Sequence, residues 1–195
     1  RESKLSFSGQ IHWNNLNLLE LTNPQIRNLP LGFIPEDRLH QAVIPRFSVF
    51  ENYQLGRLDF FNGNQILTTK RDAEIQAAIQ EFDIRPTLAT LAFSSFSGGN
   101  QQKLVVAREL KRNPQVLIIA EPTRGVDIGA IELIHQAIIT ARNTGVAILL
   151  ISSELDELIR LSDELLVMSR GKVAAHFERQ DFNLSKIGES MGGAK

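Results

Sequence analysis

The sequence predicts an α/β fold whose main sheet is parallel, and three observations carry this. The apolar runs Val116 to Ile119, Val146 to Ile151 and Leu165 to Met168 are strand-length and rich in branched residues. Helix-length segments separate them, as in strand–crossover–strand units whose sheet faces are covered. A composition of 43% hydrophobic and 22% charged residues over 195 positions fits one globular domain with a real core.

The same figures exclude several classes. A net charge of −1 exerts no long-range pull on nucleic acid or anionic lipid. Zero cysteines exclude a disulfide scaffold and a thiolate metal site, which fits a cytosolic protein. The four histidines, His12, His40, His135 and His176, lack ligand spacing. The longest apolar run, Val146 to Ile151, is far short of the roughly 20 residues that span a bilayer. No leader is visible and the first residue is Arg1, so an internal fragment of a longer polypeptide is expected.

In chain order, the first 22 residues alternate loosely, with Leu5, Phe7, Ile11, Trp13 and Leu16 apolar and Gly9 a candidate turn between two short strands. Pro24 to Asn28 reads as a short helix, Pro at a position that needs no N–H. Leu31 to Ile34 is a compact strand stopped by Pro35 and the charged trio Glu36, Asp37 and Arg38. Val49 to Leu58 and Lys70 to Phe82 read as helices, the second with Ala73, Ala77, Ala78 and Phe82 along one face. Between them Asn62-Gly63 marks a turn, with Phe60 and Phe61 packed under a loop. Helices follow at Gln101 to Lys111, Ala130 to Asn143, Glu154 to Leu161 and about Leu184 to Met191. Arg170-Gly171-Lys172 turns the third strand into a hairpin partner, Val173 to Phe177.

Phe96-Ser97-Gly98-Gly99-Asn100-Gln101-Gln102-Lys103 is the strongest motif. A serine and two glycines at a helix start can grip an anion. The hydroxyl donates, bare backbone permits close approach, and the helix end carries partial positive charge. The other reading is an ordinary Ser-capped helix. One helix later, Val116 to Asp127 runs Val-Leu-Ile-Ile-Ala-Glu-Pro-Thr-Arg-Gly-Val-Asp, placing Glu121 where a buried strand ends. Open α/β sheets gather their ligand chemistry at such strand ends.

This pair of motifs resembles the signature loop and the Walker B/D-loop of ABC-transporter ATPases. The spellings are similar to the second ATPase half of bacterial tandem importers for monosaccharides and nucleosides. Gly32-Phe33-Ile34-Pro35-Glu36-Asp37-Arg38 resembles that subgroup's Q-loop. The resemblance implies a partial RecA-like P-loop NTPase core with a helical subdomain and a small antiparallel β entry. Residues 1–40 would be the entry and Q-loop, 41–96 the helical subdomain that meets a permease, and 97–195 the signature helix and remaining core. It also implies ATP and Mg²⁺ as cofactors, with each ATP lying between one domain's phosphate-binding loop and the other's signature. Ser97, Gly98, Gly99 and Asn100 would then meet a partner-held nucleotide, and Asp127 would lie at the seam. Partners would be a first ATPase half, permease subunits and, indirectly, a solute-binding protein. The place would be the cytoplasmic face of the bacterial cell membrane.

Departures from the family pattern are informative. The only Gly-Lys pair, Gly171-Lys172, lacks the earlier glycine and the Ser/Thr of a phosphate-binding loop, so that loop is expected upstream of Arg1. The metal-associated aspartate aligns with Ala120, the switch histidine with Ser153 and the Q-loop glutamine with Glu36. Ala120 favours the nucleoside branch over the ribose-like one. Glu121 keeps the general-base position, or simply caps the turn. Arg124 would meet phosphate or carboxylate across the seam, or stand solvated. The domain is therefore expected to donate a signature more than to catalyse, and the fragment alone to be inactive. Two other classes compete. A nucleic-acid ABC ATPase would show salt-dependent binding to DNA or RNA. A regulatory, non-hydrolytic module would gain no ATP affinity from a first half.

Overall fold

Strand-length runs before and after residue 97 pair in parallel, and α5 packs against that pairing. The computed structural model describes residues 8–192. A short antiparallel pair, β1 (His12–Trp13) and β2 (Leu16–Asn17), leads to α1 (Asn23–Arg27) and β3 (Leu31–Ile34). The turn lies at Asn14, whose φ is +50°, and not at Gly9, because asparagine tolerates the left-handed region. Leu5 and Phe7 fall outside the described residues.

The middle of the chain is helical. It comprises α2 (Arg38–Gln41), α3 (Val49–Tyr53), the hairpin β4 (Phe61–Asn62) and β5 (Gln65–Ile66), then α4 (Thr68–Glu81). Ser48 and Glu51 form a reciprocal cap at the start of α3. The helix expected from Val49 to Leu58 stops at Tyr53. Gly56 then takes φ +73° and turns the chain, and a single 3₁₀ turn covers Leu58–Phe60. On α4 the buried side chains are Ile75, Ala78 and Ile79, with Phe82 just beyond. Ala73 and Ala77 are exposed, so the expected face is rotated toward the larger isoleucines, which remove more apolar area from water. Phe60 is fully buried, whereas Phe61 is 37% exposed.

The remaining elements are α5 (Gly98–Leu110), β6 (Val116–Ala120), α6 (Ile128–Asn143), β7 (Ala147–Ile151), α7 (Leu155–Leu161), β8 (Glu164–Ser169), β9 (Lys172–Glu178) and α8 (Leu184–Met191). The main sheet has the order β3-β6-β7, all parallel, with Ile34 opposite Ile119 and Ala120 opposite Ile151. β7 was expected to be buried, yet Leu149 and Ile151 are each 52% exposed. It is a sheet edge: among the described residues only β6 pairs with it. β8 joins β9 in a separate antiparallel hairpin, whose turn residues Arg170 and Gly171 both have positive φ. The hairpin packs with α8 around Leu165, Val167 and Ile187.

Helix α5 is the centre of the molecule. It packs on β3, α3, α4 and α6, and Gln101 to Glu109 is buried without interruption. Leu104 to Ala107 join Ile34, Leu117, Ile119, Ile134 and Phe93 in the main core. Its polar positions are bonded inward: Gln101 to the carbonyls of Phe93 and Phe96, Lys103 to that of Asp83, and Arg108 to those of Ala42 and Asn52. Burial of such groups is tolerated only with partners of this kind.

A second polar knot stabilises the helical region. Arg57 is 3% exposed, lies 4.2 Å over the Phe60 ring, and bonds Asp59 at 2.9 Å and Glu74 at 2.7 Å. The Arg57 guanidinium holds the Asp59 carboxyl well below the usual carboxylate range. A depressed carboxylate stabilises the fold above its ordinary range, and that contribution is lost as pH falls through the lowered value. Arg57→Ala is expected to cost roughly 3 kcal/mol, because the partners lose their buried cation. It should also weaken the pH dependence on the acid side; urea melts at pH 7 and pH 3 would check both.

Candidate functional site

Because β3 and β6 run parallel and adjacent, the loops after them, Pro35–Asp37 and Glu121–Asp127, emerge side by side. The start of α5 sits against both. Ser97 is its N-cap, with φ −61° and ψ 157°, and its side chain is exposed. Its Oγ accepts from Asn100 N at 3.4 Å and from Asn100 Nδ2 at 2.9 Å, leaving the hydroxyl proton free to donate outward. Asn100 Oδ1 accepts the Arg85 N–H at 2.9 Å, so this side chain faces its own fold rather than an incoming ligand.

The glycines are required by neighbours in the same chain. A Cβ on Gly98 would lie 2.8 Å from Arg38 Nη2 and 2.8 Å from the Gly125 carbonyl. On Gly99 it would collide with Asp127 Oδ2 and lie 2.8 Å from the Ala130 methyl. Asp127 caps α6, accepting from Ala130 N at 2.9 Å. Its carboxylate therefore stands directly beside the α5 turn. Lys103 feels it: burial pulls this ammonium below the usual lysine range, while the Asp83 and Asp127 carboxylates oppose that fall.

Glu36 reaches the same place from the β3 side by pairing with Arg124. The expected alternatives for Arg124 were a contact across a seam or free solvation. It meets a carboxylate of its own chain, and both partners are more than half exposed. Arg38, not singled out from sequence, lies between the two loops and α5. Its Nε reaches Gln101 Oε1 at 3.5 Å and its Nη1 the Arg124 carbonyl at 3.4 Å. The signal was the charged trio after β3, which reads from sequence only as a strand stop.

Glu121 belongs to a different cluster. It sits at φ +48°, with its N–H donating to the Ile151 carbonyl at 2.7 Å. Its Oε1 accepts from Ser153 N at 2.8 Å and its Oε2 from Ser153 Oγ at 3.2 Å. The carboxylate thus holds the loop after β7 rather than the turn at the end of its own strand. The structure brings Ser97, Gly98, Gly99, Asn100, Asp127 and, through Arg124, Glu36 to one corner; Glu121 faces Ser153 instead.

The two implied cofactors fit unequally. An exposed hydroxyl, bare backbone and the positive end of a 13-residue helix suit a phosphate presented from outside. Mg²⁺ suits these residues poorly. Ala120 offers no oxygen, and the Glu121 carboxylate is engaged by Ser153.

Gly99→Ala should destabilise the chain by about 2 kcal/mol, since overpacking costs on that order. The Asp127 carboxylate cannot swing aside without giving up its cap on α6. Chemical denaturation would check this, and a neutral outcome would mean the turn is looser than its contacts.

Comparison with known proteins agrees with the geometry. A family model described as "ABC transporter" matches residues 3–124. The nucleoside import ATP-binding protein NupA of Lactococcus lactis is 36% identical over 194 residues, covering 95% of this chain and 37% of the relative. The guanosine import ATP-binding protein NupO of Bacillus subtilis is 35% identical, with 96% and 37% covered. The xylose import ATP-binding protein XylG of Escherichia coli K12 is 37% identical, with 82% and 32% covered. The chain therefore spans about a third of the length of these relatives. In fold it matches the dimeric ATP-binding cassette MJ0796 bound to ADP and Pi, at a TM-score of 0.76 and 20% identity, covering 90% of this chain and 75% of that one. With the family model covering well over half of its residues, the chain belongs to the ABC transporter family.

Proposed function

We propose that this chain is the second ATPase half of a tandem importer ATPase for sugars or nucleosides, and that its α5 turn completes an ATP site whose phosphate-binding loop belongs to the first half. The observation that supports this most is the pairing of a well-built turn with a poorly equipped strand end. Ser97 is exposed and Gly98 and Gly99 are held in place, while Ala120 lacks an oxygen and Glu121 is tied to Ser153. The names of the relatives, nucleoside and xylose import ATP-binding proteins, support the solute class.

On this reading ATP, when bound, supplies the phosphoryl group whose hydrolysis drives the cycle. Ser97 donates its hydroxyl to the terminal phosphate, the part-exposed Gly98 backbone allows close approach, and the helix end stabilises the charge. Asp127 lies at the seam, and Asn100 shapes the turn from behind. Residues 41–96 meet a permease at the cytoplasmic face of the cell membrane, with a solute-binding protein acting through that permease. Residues 1–40 and 97–195 form the nucleotide-facing core. No helix among the described residues is long and apolar enough to cross a membrane.

Two measurements test this reading. In the complete protein, Ser97→Arg should lower ATP turnover by about 10²-fold, the scale of losing a positioned donor. Glu121→Gln should stay within about threefold, far less than the loss of a working acid–base group. Equal losses would remove the asymmetry and the reading with it. Titration calorimetry on the isolated chain should show no saturable ATP binding below about 1 mM. Adding the first ATPase half should create it; tight binding by this chain alone would identify an autonomous nucleotide site.

A further inference from the structure

Among the described residues, Arg38 is the cation that links the two loops to the α5 turn. It begins α2, immediately after the loop that carries Glu36. Its Nη1 faces the Arg124 carbonyl, its Nε faces Gln101 Oε1, and its Nη2 lies 2.8 Å from where a Gly98 Cβ would stand. Gln101 cannot turn away, because its Nε2 already donates to the carbonyls of Phe93 and Phe96. Its oxygen is therefore fixed toward Arg38. Arg124 is in turn held from its side chain by Glu36. The loop after β3 thus grips the β6–α6 loop twice, by an ion pair and by Arg38, and only Arg38 continues to α5.

The two polar contacts, at 3.4 and 3.5 Å, are long for charge-assisted bonds. The guanidinium also fills the space beside Gly98 that a Cβ would occupy. Burial pulls the guanidinium below its ordinary value, though Arg stays cationic at any relevant pH. A planar guanidinium can slide edge-on beside a residue without a Cβ, and an ammonium on a flexible stem cannot reproduce that wedge. Electrostatics adds a second role. The Asp127 carboxylate stands beside Gly99, where it would repel any phosphate, and Arg38 supplies a compensating charge on the Gly98 side.

We propose that Arg38 is a positioning residue for the composite nucleotide site, setting the distance between the α5 turn and the β6–α6 loop and offsetting Asp127. This rests on the two-half reading above. The test uses the complete protein, with ATP-driven closure of its two halves followed by crosslinking and ADP binding followed by calorimetry. Arg38→Ala should raise the ATP concentration for half-maximal closure by about tenfold or more, as small misplacements of a reacting group commonly do. ADP affinity should stay unchanged, because ADP lacks the phosphate that meets the α5 turn; an unchanged thermal melt of this half made alone reports that it is folded. Arg38→Lys should not restore closure, since it keeps the charge and loses the wedge. Full restoration by lysine, or wild-type closure in Arg38→Ala, overturns the proposal. Ser97→Arg run in parallel separates the two ideas. If Ser97→Arg blocks closure while Arg38→Ala does not, only the role of Arg38 fails; if neither blocks it, the two-half reading fails first. Should Arg38→Ala unfold, Arg38→Gln, which keeps an amide donor, is judged by the same closure and ADP readouts.

Discussion

The burial of α5 is the constraint on which the rest of the molecule depends. A helix whose residues from Gln101 to Glu109 are all buried can neither rotate nor slide without exposing apolar surface or breaking directional bonds. Gln101, Lys103 and Arg108 anchor it to carbonyls in three different segments. Dispersion and apolar burial hold a helix in place but tolerate small shifts of register; polar bonds to fixed carbonyls do not. The first turn is therefore delivered to the surface with its N–H groups already aimed. Preorganisation of this kind keeps a binding turn from losing free energy to rearrangement when a ligand arrives.

The two strand-end loops show how one sheet can carry unequal chemistry. At the β3–β6 side the loops meet α5 and are crossed by charge pairs. At the β6–β7 side Glu121 adopts a left-handed backbone and directs its carboxylate to Ser153. Such a conformation costs free energy for a residue with a Cβ and persists where surroundings dictate it. Here the surroundings are visible: the Glu121 N–H meets the Ile151 carbonyl and the carboxylate meets Ser153, so the strained residue staples two adjacent parallel strands beyond their last ladder bonds.

Much of the fold was legible in the sequence because its signals are local. The strands β3, β6 and β8 announce themselves by branched apolar runs, and the β8–β9 turn by Arg170-Gly171. What escaped was set by distant partners. β7 carries the same apolar signature as β6, yet it is half exposed because pairing on one edge and cover on its faces are tertiary matters. The α4 face was misplaced because alanine contributes little to the choice of which side is buried, and Ile75 and Ile79 decide it. At the candidate site the spelling pointed to Ser97, Gly98 and Gly99 and read the glycines as room for an anion, but it did not show the neighbours in the same chain that require them. For Gly98 they lie 60 residues upstream at Arg38 and 27 downstream at Gly125, and for Gly99 they lie 28 downstream at Asp127. The Glu36–Arg124 pair, 88 residues apart in sequence, was likewise invisible to spacing.

Charge around the α5 turn reconciles a near-neutral chain with the proposed phosphate-facing surface. A net charge of −1 projects no useful field beyond about a Debye length, roughly 8–10 Å in physiological salt. Within that distance the balance is different. Arg38, Arg124, Lys103 and Arg85 stand against Glu36, Asp37, Asp83 and Asp127, and the helix end adds about half a positive charge. Most of these charges are paired within the chain, so free phosphate in solution meets little attraction from afar. A phosphate already placed against the turn meets a hydroxyl, open backbone and a slight local excess of positive charge at contact range. Such a surface discriminates by geometry first and by charge second, which suits a ligand delivered by another protein surface better than one captured from bulk solution.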